Sequence, residues 1–205
     1  LRNLLGGCAA IQTTYPQRPI TEEPASMFLK PAIFLDRDNT LVRDDGYVFE
    51  IEKFVWINGA ADALKRFHEA NIPVFVVTNQ GGIGRGIFSE DQMHRFNNHM
   101  IAAAIEAGGY ITDIAFCPHH PLSSNPGMAI ACNCRKPEPG LLFNLARKWK
   151  IDLRASVMIG DRGSDVEAGR RAGTHSYLFT QNSLDDLAKQ VISNHFSPKI
   201  GNANA

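Results

Sequence analysis

Ala32-Ile33-Phe34-Leu35-Asp36-Arg37-Asp38-Asn39-Thr40-Leu41 sets four apolar residues directly before two carboxylates spaced one residue apart. A short apolar run bounded by polar residues reads as a strand buried on both faces. Where that strand leaves its sheet, Asp36 can point into the crevice beyond the carboxyl end, where open α/β sheets hold their ligands. As the chain turns out of the sheet, Asp38 can rejoin the same pocket. One carboxylate can then attack phosphorus while the other handles a proton. A polar turn after a buried strand would look the same in this run alone, so the rest of the chain has to decide.

Working outward, residues 59–71 carry Ala63, Leu64, Phe67 and Ala70, spaced for one face of a helix. Residues 73–77 are apolar and rich in valine, as in a strand covered on both sides. Ser89 can cap a helix running to about Ala107, with Gln92 completing a capping box. Strands are predicted at 111–116, 156–159 and 175–179. Helices are predicted at 137–150 with Pro137 in the opening turn, at 164–172 closed by Gly173, and at 184–192. Strands alternating with helices predict a doubly wound, mostly parallel, Rossmann-like α/β sheet with right-handed crossovers. No internal repeat is present, and the segments between motifs are too short for a large cap domain. The predicted organisation is a loosely ordered extension over 1–30, one domain over 31–195, and a flexible tail over 196–205.

A chain of 205 residues suits one domain with a real core. Its 21 basic residues balance 21 acidic ones, which leaves no basic field for nucleic acid and no polybasic run for a membrane surface. No apolar stretch approaches the ~20 residues of a spanning helix. Leu5-Gly6-Gly7-Cys8 faintly resembles a lipoprotein cleavage site, but no basic start and longer apolar region precede it. Met27 could serve as an alternative start. With cysteines that look like metal ligands in a reducing compartment, these features predict a cytoplasmic protein. No exposed apolar helix face stands out, so a monomer is expected.

Four strand or helix ends carry polar residues suited to one phosphate and one divalent cation. Asp36 and Asp38 follow the first strand, Thr78-Asn79-Gln80 with Gly81-Gly82 the second, Arg135-Lys136-Pro137 opens a helix, and Asp161 and Asp165 follow the fourth strand. In a parallel sheet these points share one edge. Asp36 and Asp161 offer hard oxygen ligands for Mg²⁺. Lys136 and the Thr78 hydroxyl can hold phosphoryl oxygens, and backbone N–H groups after Asp36 can complete the cradle. The long irregular stretch from 117 to 135 has its own explanation. Cys117-x-His119, twelve residues, then Cys132-x-Cys134 supply a full tetrahedral set for structural Zn²⁺. Free thiols with a surface His119 are the plainer alternative.

The chain resembles the haloacid dehalogenase superfamily of phosphatases in four motifs and their order, over about residues 31–180. The stretches that carry the resemblance are Phe34-Leu35-Asp36-Arg37-Asp38, Asp44-Asp45-Gly46-Tyr47-Val48, Val77-Thr78-Asn79-Gln80 and Gly84-Arg85-Gly86. Cys117-Pro118-His119-His120-Pro121, Cys132-Asn133-Cys134-Arg135-Lys136-Pro137 and Gly160-Asp161-Arg162 complete them. The resemblance implies that Asp36 is the nucleophile and Asp38 the general acid/base. It implies that Thr78 and Lys136 stabilise the phosphoryl group, and that Asp36, the backbone carbonyl of Asp38, and Asp161 ligate Mg²⁺. It also implies that Asp44, Asp45, Gly46, Tyr47, Asn79, Gln80, Gly81, Arg135 and Arg162 contact a small sugar bisphosphate. Asp165 would be a supporting carboxylate, or equally a helix-start charge. Asn39 departs from the family's usual glycine; asparagine tolerates left-handed backbone next best, so the cradle can survive or be crowded. A histidinol-phosphate phosphatase, whose zinc loop is usually shorter, and a non-catalytic zinc-loop binding module are the competing readings.

Overall fold

The computed structural model describes residues 29–180 and 182–197. Residues 1–28 of the extension expected over 1–30, and residues 198–205 of the tail expected over 196–205, lie outside the described residues. Five strands form one all-parallel sheet in the order β3-β2-β1-β4-β5. They are β1 (Ile33–Leu35), β2 (Val74–Asn79), β3 (Asp113–Cys117), β4 (Val157–Gly160) and β5 (His175–Leu178). The helices are α1 (Ala60–Glu69), α2 (Gly81–Gly84), α3 (Glu90–Glu106), α4 (Gly140–Trp149), α5 (Gly163–Ala172) and α6 (Leu184–His195).

The two-residue period of the strands divides the core between the faces of the sheet. Ile33, Leu35, Val74 and Val76 pack with Leu64 and Phe67 of α1, Phe96 and Met100 of α3, and Leu187 and Val191 of α6. Phe34, Phe75, Val77 and Met158 face the other way, onto Leu141, Leu142 and Leu145 of α4 and Ala168 and Ala172 of α5. Both faces are covered, which is why the central strands read as unbroken apolar runs. Arg66 of α1 grips Asp185 of α6 bidentately, at 2.6 and 3.1 Å. No large cap is inserted among the described residues; the excursion over 36–59 returns through backbone pairing of Val42 with Trp56. No helix among the described residues is long and apolar enough to cross a membrane.

Most predicted elements hold, including the Ser89–Gln92 capping box on α3 and the closure of α5 by Gly173 at φ 87°. One helix start is corrected. Helix α4 begins at Gly140, not Pro137. Lys136 and Glu138 each precede a proline, and the proline ring disfavours helical geometry in the residue before it. The Gly140 N–H instead donates to the Asn133 carbonyl at 2.8 Å, drawing the helix start onto the cysteine loop. Helix α6 runs one turn further than predicted, to His195, whose ring meets the Tyr177 hydroxyl of β5 at 2.7 Å. Lys30 already belongs to the domain edge: its N–H donates to the Lys150 carbonyl and its own carbonyl accepts from Asp152.

Candidate active site

Strand β1 sits at the centre of the sheet, with Leu35 beside Val76 of β2 and Ile159 of β4. The next residue, Asp36, is anchored by its N–H to the Ile159 carbonyl at 2.9 Å, so its carboxylate emerges between the ends of both neighbours. There it meets Lys136. The ammonium lies 2.6 Å from Asp36 Oδ1, 2.7 Å from Asp165 Oδ1 and 2.7 Å from the Val77 carbonyl. Carboxylate oxygens of Asp36, Asp161 and Asp165 all fall within 4.8 Å of one another. Gly160 makes this possible, because a Cβ there would occupy the space of the Asp165 carboxylate.

Asp36 and Asp165 share one ammonium, and Asp161 beside them has only Arg162, at 3.7 Å, as a cationic partner among the described residues, so the carboxyl groups crowd one another. Burial pushes Asp36 up to about 7; Lys136 pulls it down, while Asp165 and Asp38 push it up again. Burial, then Asp165, raises Asp161. Burial works against the charge on Lys136, but Asp36 and Asp165 outweigh it and hold the ammonium above its ordinary range. Asp161 Oδ1 is buried and meets no donor among the described residues. Such an oxygen, beside the carboxyl groups of Asp36 and Asp165, suits a hard divalent cation.

The cluster floors a cavity of about 470 Å³, a normal size for a small-molecule site. Asp36, Asp38, Asp44, Gly46, Tyr47, Thr78, Asn79, Gln80, Gly81, Arg135, Lys136 and Arg162 all line it. Asp161 stands just behind, within reach of Asp36 and Asp165. Asp45 is not brought in; it is exposed and pairs with Arg43 at 3.0 Å. His120, part of a quoted motif but given no role, and Ser164, which lies in none, line the cavity too. His120 fits because Gly81 has no side chain: a Cβ there would lie 2.7 Å from the ring.

Three expected substrate contacts, Gln80, Asn79 and Asp44, are engaged inside the protein. The buried Gln80 amide bonds Arg37, Asp38 and Thr78. Asn79 donates to the Lys136 carbonyl and accepts from the Lys136 N–H, both at 3.0 Å, so its amide clamps the backbone of the buried lysine. Asp44 Oδ1 accepts from the N–H groups of Gly46 at 3.2 Å and Val48 at 2.7 Å, closing its own loop. Asn39 answers the question of crowding. It adopts φ 58°, and its side chain turns away to bond both backbone groups of Asp44, at 3.0 and 3.1 Å.

The cysteine loop converges as its spacing suggested. Ligand atoms of Cys117, His119, Cys132 and Cys134 lie within 4.8 Å of one another. Sulfur–sulfur separations of 3.1, 3.4 and 3.7 Å are too long for disulfides. They approach the ~3.8 Å edge of a tetrahedron built on Zn–S bonds of about 2.3 Å. His119 presents Nδ1, at 3.3 Å from Cys134 Sγ, and burial lowers its pKa, which keeps the ring neutral as a metal ligand must be. The four donors could hold a metal ion.

A parallel sheet with a carboxylate–lysine cluster beyond its carboxyl ends defines the class: a haloacid dehalogenase-like phosphatase. Residues 133–198 match a family model described as HAD-hydrolase-like. The D-glycero-beta-D-manno-heptose-1,7-bisphosphate 7-phosphatase of Rhodopseudomonas palustris is 39% identical over 168 residues, spanning 82% of this chain and 93% of the relative. The protein of the same name from Yersinia pestis is 42% identical over 178 residues, spanning 78% and 95%. The crystal structure of D,D-heptose 1,7-bisphosphate phosphatase from B. bronchiseptica, complexed with magnesium and phosphate, matches with a TM-score of 0.70 at 27% identity, covering 80% of this chain and 98% of that one. The chain belongs to the haloacid dehalogenase-like phosphatases and, within them, to the family of these bisphosphate phosphatases.

Proposed function

We propose that this phosphatase is magnesium-dependent, works through a phosphorylated Asp36, and removes the 7-phosphate of D-glycero-D-manno-heptose 1,7-bisphosphate. The observation that carries the reaction type is the meeting of Asp36, Asp161 and Asp165, two of them on Lys136, with one buried Asp161 oxygen still open. The substrate rests on the relatives and on a cavity whose Arg135, Arg162 and Lys136 suit a sugar carrying two phosphates. Asp36 and Asp161, with the backbone carbonyl of Asp38, would hold Mg²⁺. When bound, that ion neutralises charge on the phosphoryl oxygens and on Asp36.

The chain's own groups account for the rest. An Asp36 oxygen attacks phosphorus, and the bond from phosphorus to the sugar oxygen breaks. Asp38 gives its proton to that oxygen. Lys136 and the Thr78 hydroxyl hold the phosphoryl oxygens as charge builds on them. Water then attacks the aspartyl phosphate, Asp38 takes its proton, and inorganic phosphate leaves with Asp36 restored. Cys117, His119, Cys132 and Cys134 would hold Zn²⁺ with no open position, which makes it structural and ties the loop that delivers Arg135 and Lys136. Reduced thiols at this spacing support a cytoplasmic setting, and a monomer remains the proposed state.

The test is phosphate release, with Mg²⁺, from heptose 1,7-bisphosphate, histidinol phosphate and an aryl phosphate. Release should be fastest from the heptose bisphosphate, yield the 1-phosphate, and vanish in Asp36→Asn. Faster turnover of histidinol phosphate would overturn the substrate assignment. Activity that persists in Asp36→Asn would overturn the mechanism.

A further inference from the structure

Arg37 is 1% exposed, the largest fully buried side chain among the described residues. A buried cation costs stability that an apolar residue would not, so its placement between the two motif aspartates calls for a reason. Its Nε donates to Asp38 Oδ1 at 2.7 Å and its Nη1 to Asn97 Oδ1 at 3.1 Å. Its Nη2 donates to the Val48 carbonyl at 3.1 Å and to Gln80 Oε1 at 3.0 Å. The Phe96 ring lies 5.0 Å from the guanidinium carbon.

A guanidinium has donors only. Gln80 must therefore turn its carbonyl oxygen to Arg37, which fixes the amide and sends its nitrogen the other way. That nitrogen donates to Asp38 Oδ2 and to Thr78 Oγ1, both at 2.8 Å. Two consequences follow for the cavity wall. Both Asp38 oxygens are held, one by Arg37 and one by Gln80, so the carboxylate is fixed in rotation with an edge left toward the cavity. The Thr78 hydroxyl accepts from Gln80, so its own proton is free for a further acceptor. One amide thus sets the direction of the proton-transfer group and the donor sense of the hydroxyl beside it.

We propose that Gln80, oriented by the buried Arg37, is a positioning residue that aims Asp38 at the leaving-group oxygen and makes Thr78 a donor toward the phosphoryl group. This rests on the reading of Asp38 as the proton-transfer group. The leaving group supplies the test, because a good one departs without help and a poor one needs a proton. The value of kcat/KM is measured with Mg²⁺ for the sugar bisphosphate, a poor leaving group, and for an activated aryl phosphate. It reports steps through the departure of that group. Positioned acid catalysis contributes about 10²–10⁴-fold. Gln80→Met should therefore lose about 10²-fold or more with the sugar bisphosphate and roughly tenfold or less with the aryl phosphate.

Gln80→Glu keeps the side-chain size and can pair with Arg37 but cannot donate when ionised; it should show the same unequal loss, and it serves if the Met variant does not fold. Equal losses on both substrates, or none, in a folded Gln80 variant would overturn the proposal and leave the phosphatase reading standing. Asp38→Asn is the control and should show the same inequality. Equal losses there would overturn the acid role of Asp38 and the proposal with it. An unsubstituted protein that hydrolyses neither substrate would overturn the reading beneath both.

Discussion

Asn79→Ala separates two accounts of one residue. Motif reasoning makes Asn79 a substrate contact; the structure makes it a clamp on the Lys136 backbone. Lys136 is 3% exposed, so alanine would leave its N–H and carbonyl largely without water as a substitute. Each stranded backbone group costs about 1–3 kcal/mol, and the cavity beside Asn79 lets solvent relieve part of that. The net loss should be about 2–3 kcal/mol. For a chain of this size each kcal/mol moves Tm by about 2–4 °C, which predicts a fall of about 4–12 °C. Releasing the segment also frees the ammonium held between Asp36 and Asp165, and a displacement of about 1 Å in a reacting group costs on the order of 10²-fold in rate. Thermal unfolding followed by circular dichroism and steady-state kinetics on the same preparation check both figures. A variant with the parent's Tm and kcat but a raised KM would refute the clamp and restore the substrate-contact account.

Three further outcomes are expected. Cys132→Ser, or chelation, should remove zinc measured by atomic absorption, lower Tm and cut activity; full activity and unchanged Tm in a zinc-free preparation would refute the metal's role. Arg66→Ala should cost about 0.5 kcal/mol, since the pair is partly screened by solvent. Hydrogen bonding to Arg66 holds Asp185 below its ordinary 3.8, so the stabilisation is present above that value and lost as pH falls through the folded pKa. Denaturant titrations of parent and variant should therefore differ at pH 7 and converge in acid. Asn39→Gly keeps the left-handed backbone but drops two bonds to Asp44, so KM for the sugar bisphosphate should rise several-fold with the fold's Tm lowered by a few degrees; an unchanged KM would show that the loop holds without them.

The alternation of strands and helices, the aspartate pairs and the cysteine spacing were legible because each is a local pattern with a local cause. Leu35 and Asp36 are neighbours, so the change from apolar to charged marks the strand end directly. The partners of buried polar groups were not legible in this way. Arg37 reads as one more charge in a polar turn, yet its partners Gln80 and Asn97 lie 43 and 60 residues further on. Nothing in the order of residues says that Asn79 would bond Lys136, 57 residues away. The late start of α4 was half legible: two prolines signal a helix opening, but the pull of the cysteine loop through Asn133 depends on tertiary contact.

The end of β2 shows why the site tolerates so little rearrangement. Thr78, Asn79 and Gln80 are consecutive, and each engages a different part of the site. Thr78 lines the cavity, Asn79 holds the lysine, and Gln80 links Arg37 to Asp38. A strand that slipped by one residue would exchange the faces of all three at once. Register is therefore a catalytic matter here, and it is secured from both sides. Val76 pairs with Leu35 next to Asp36, while Asn79 pairs with Cys117, the first residue of the Cys/His cluster. The same hydrogen-bonded ladder thus fixes the aspartate on one flank and the cysteine loop on the other. Lys136 returns from that loop to the clamp of Asn79, closing a circuit in which the strand, the loop and the ammonium constrain one another.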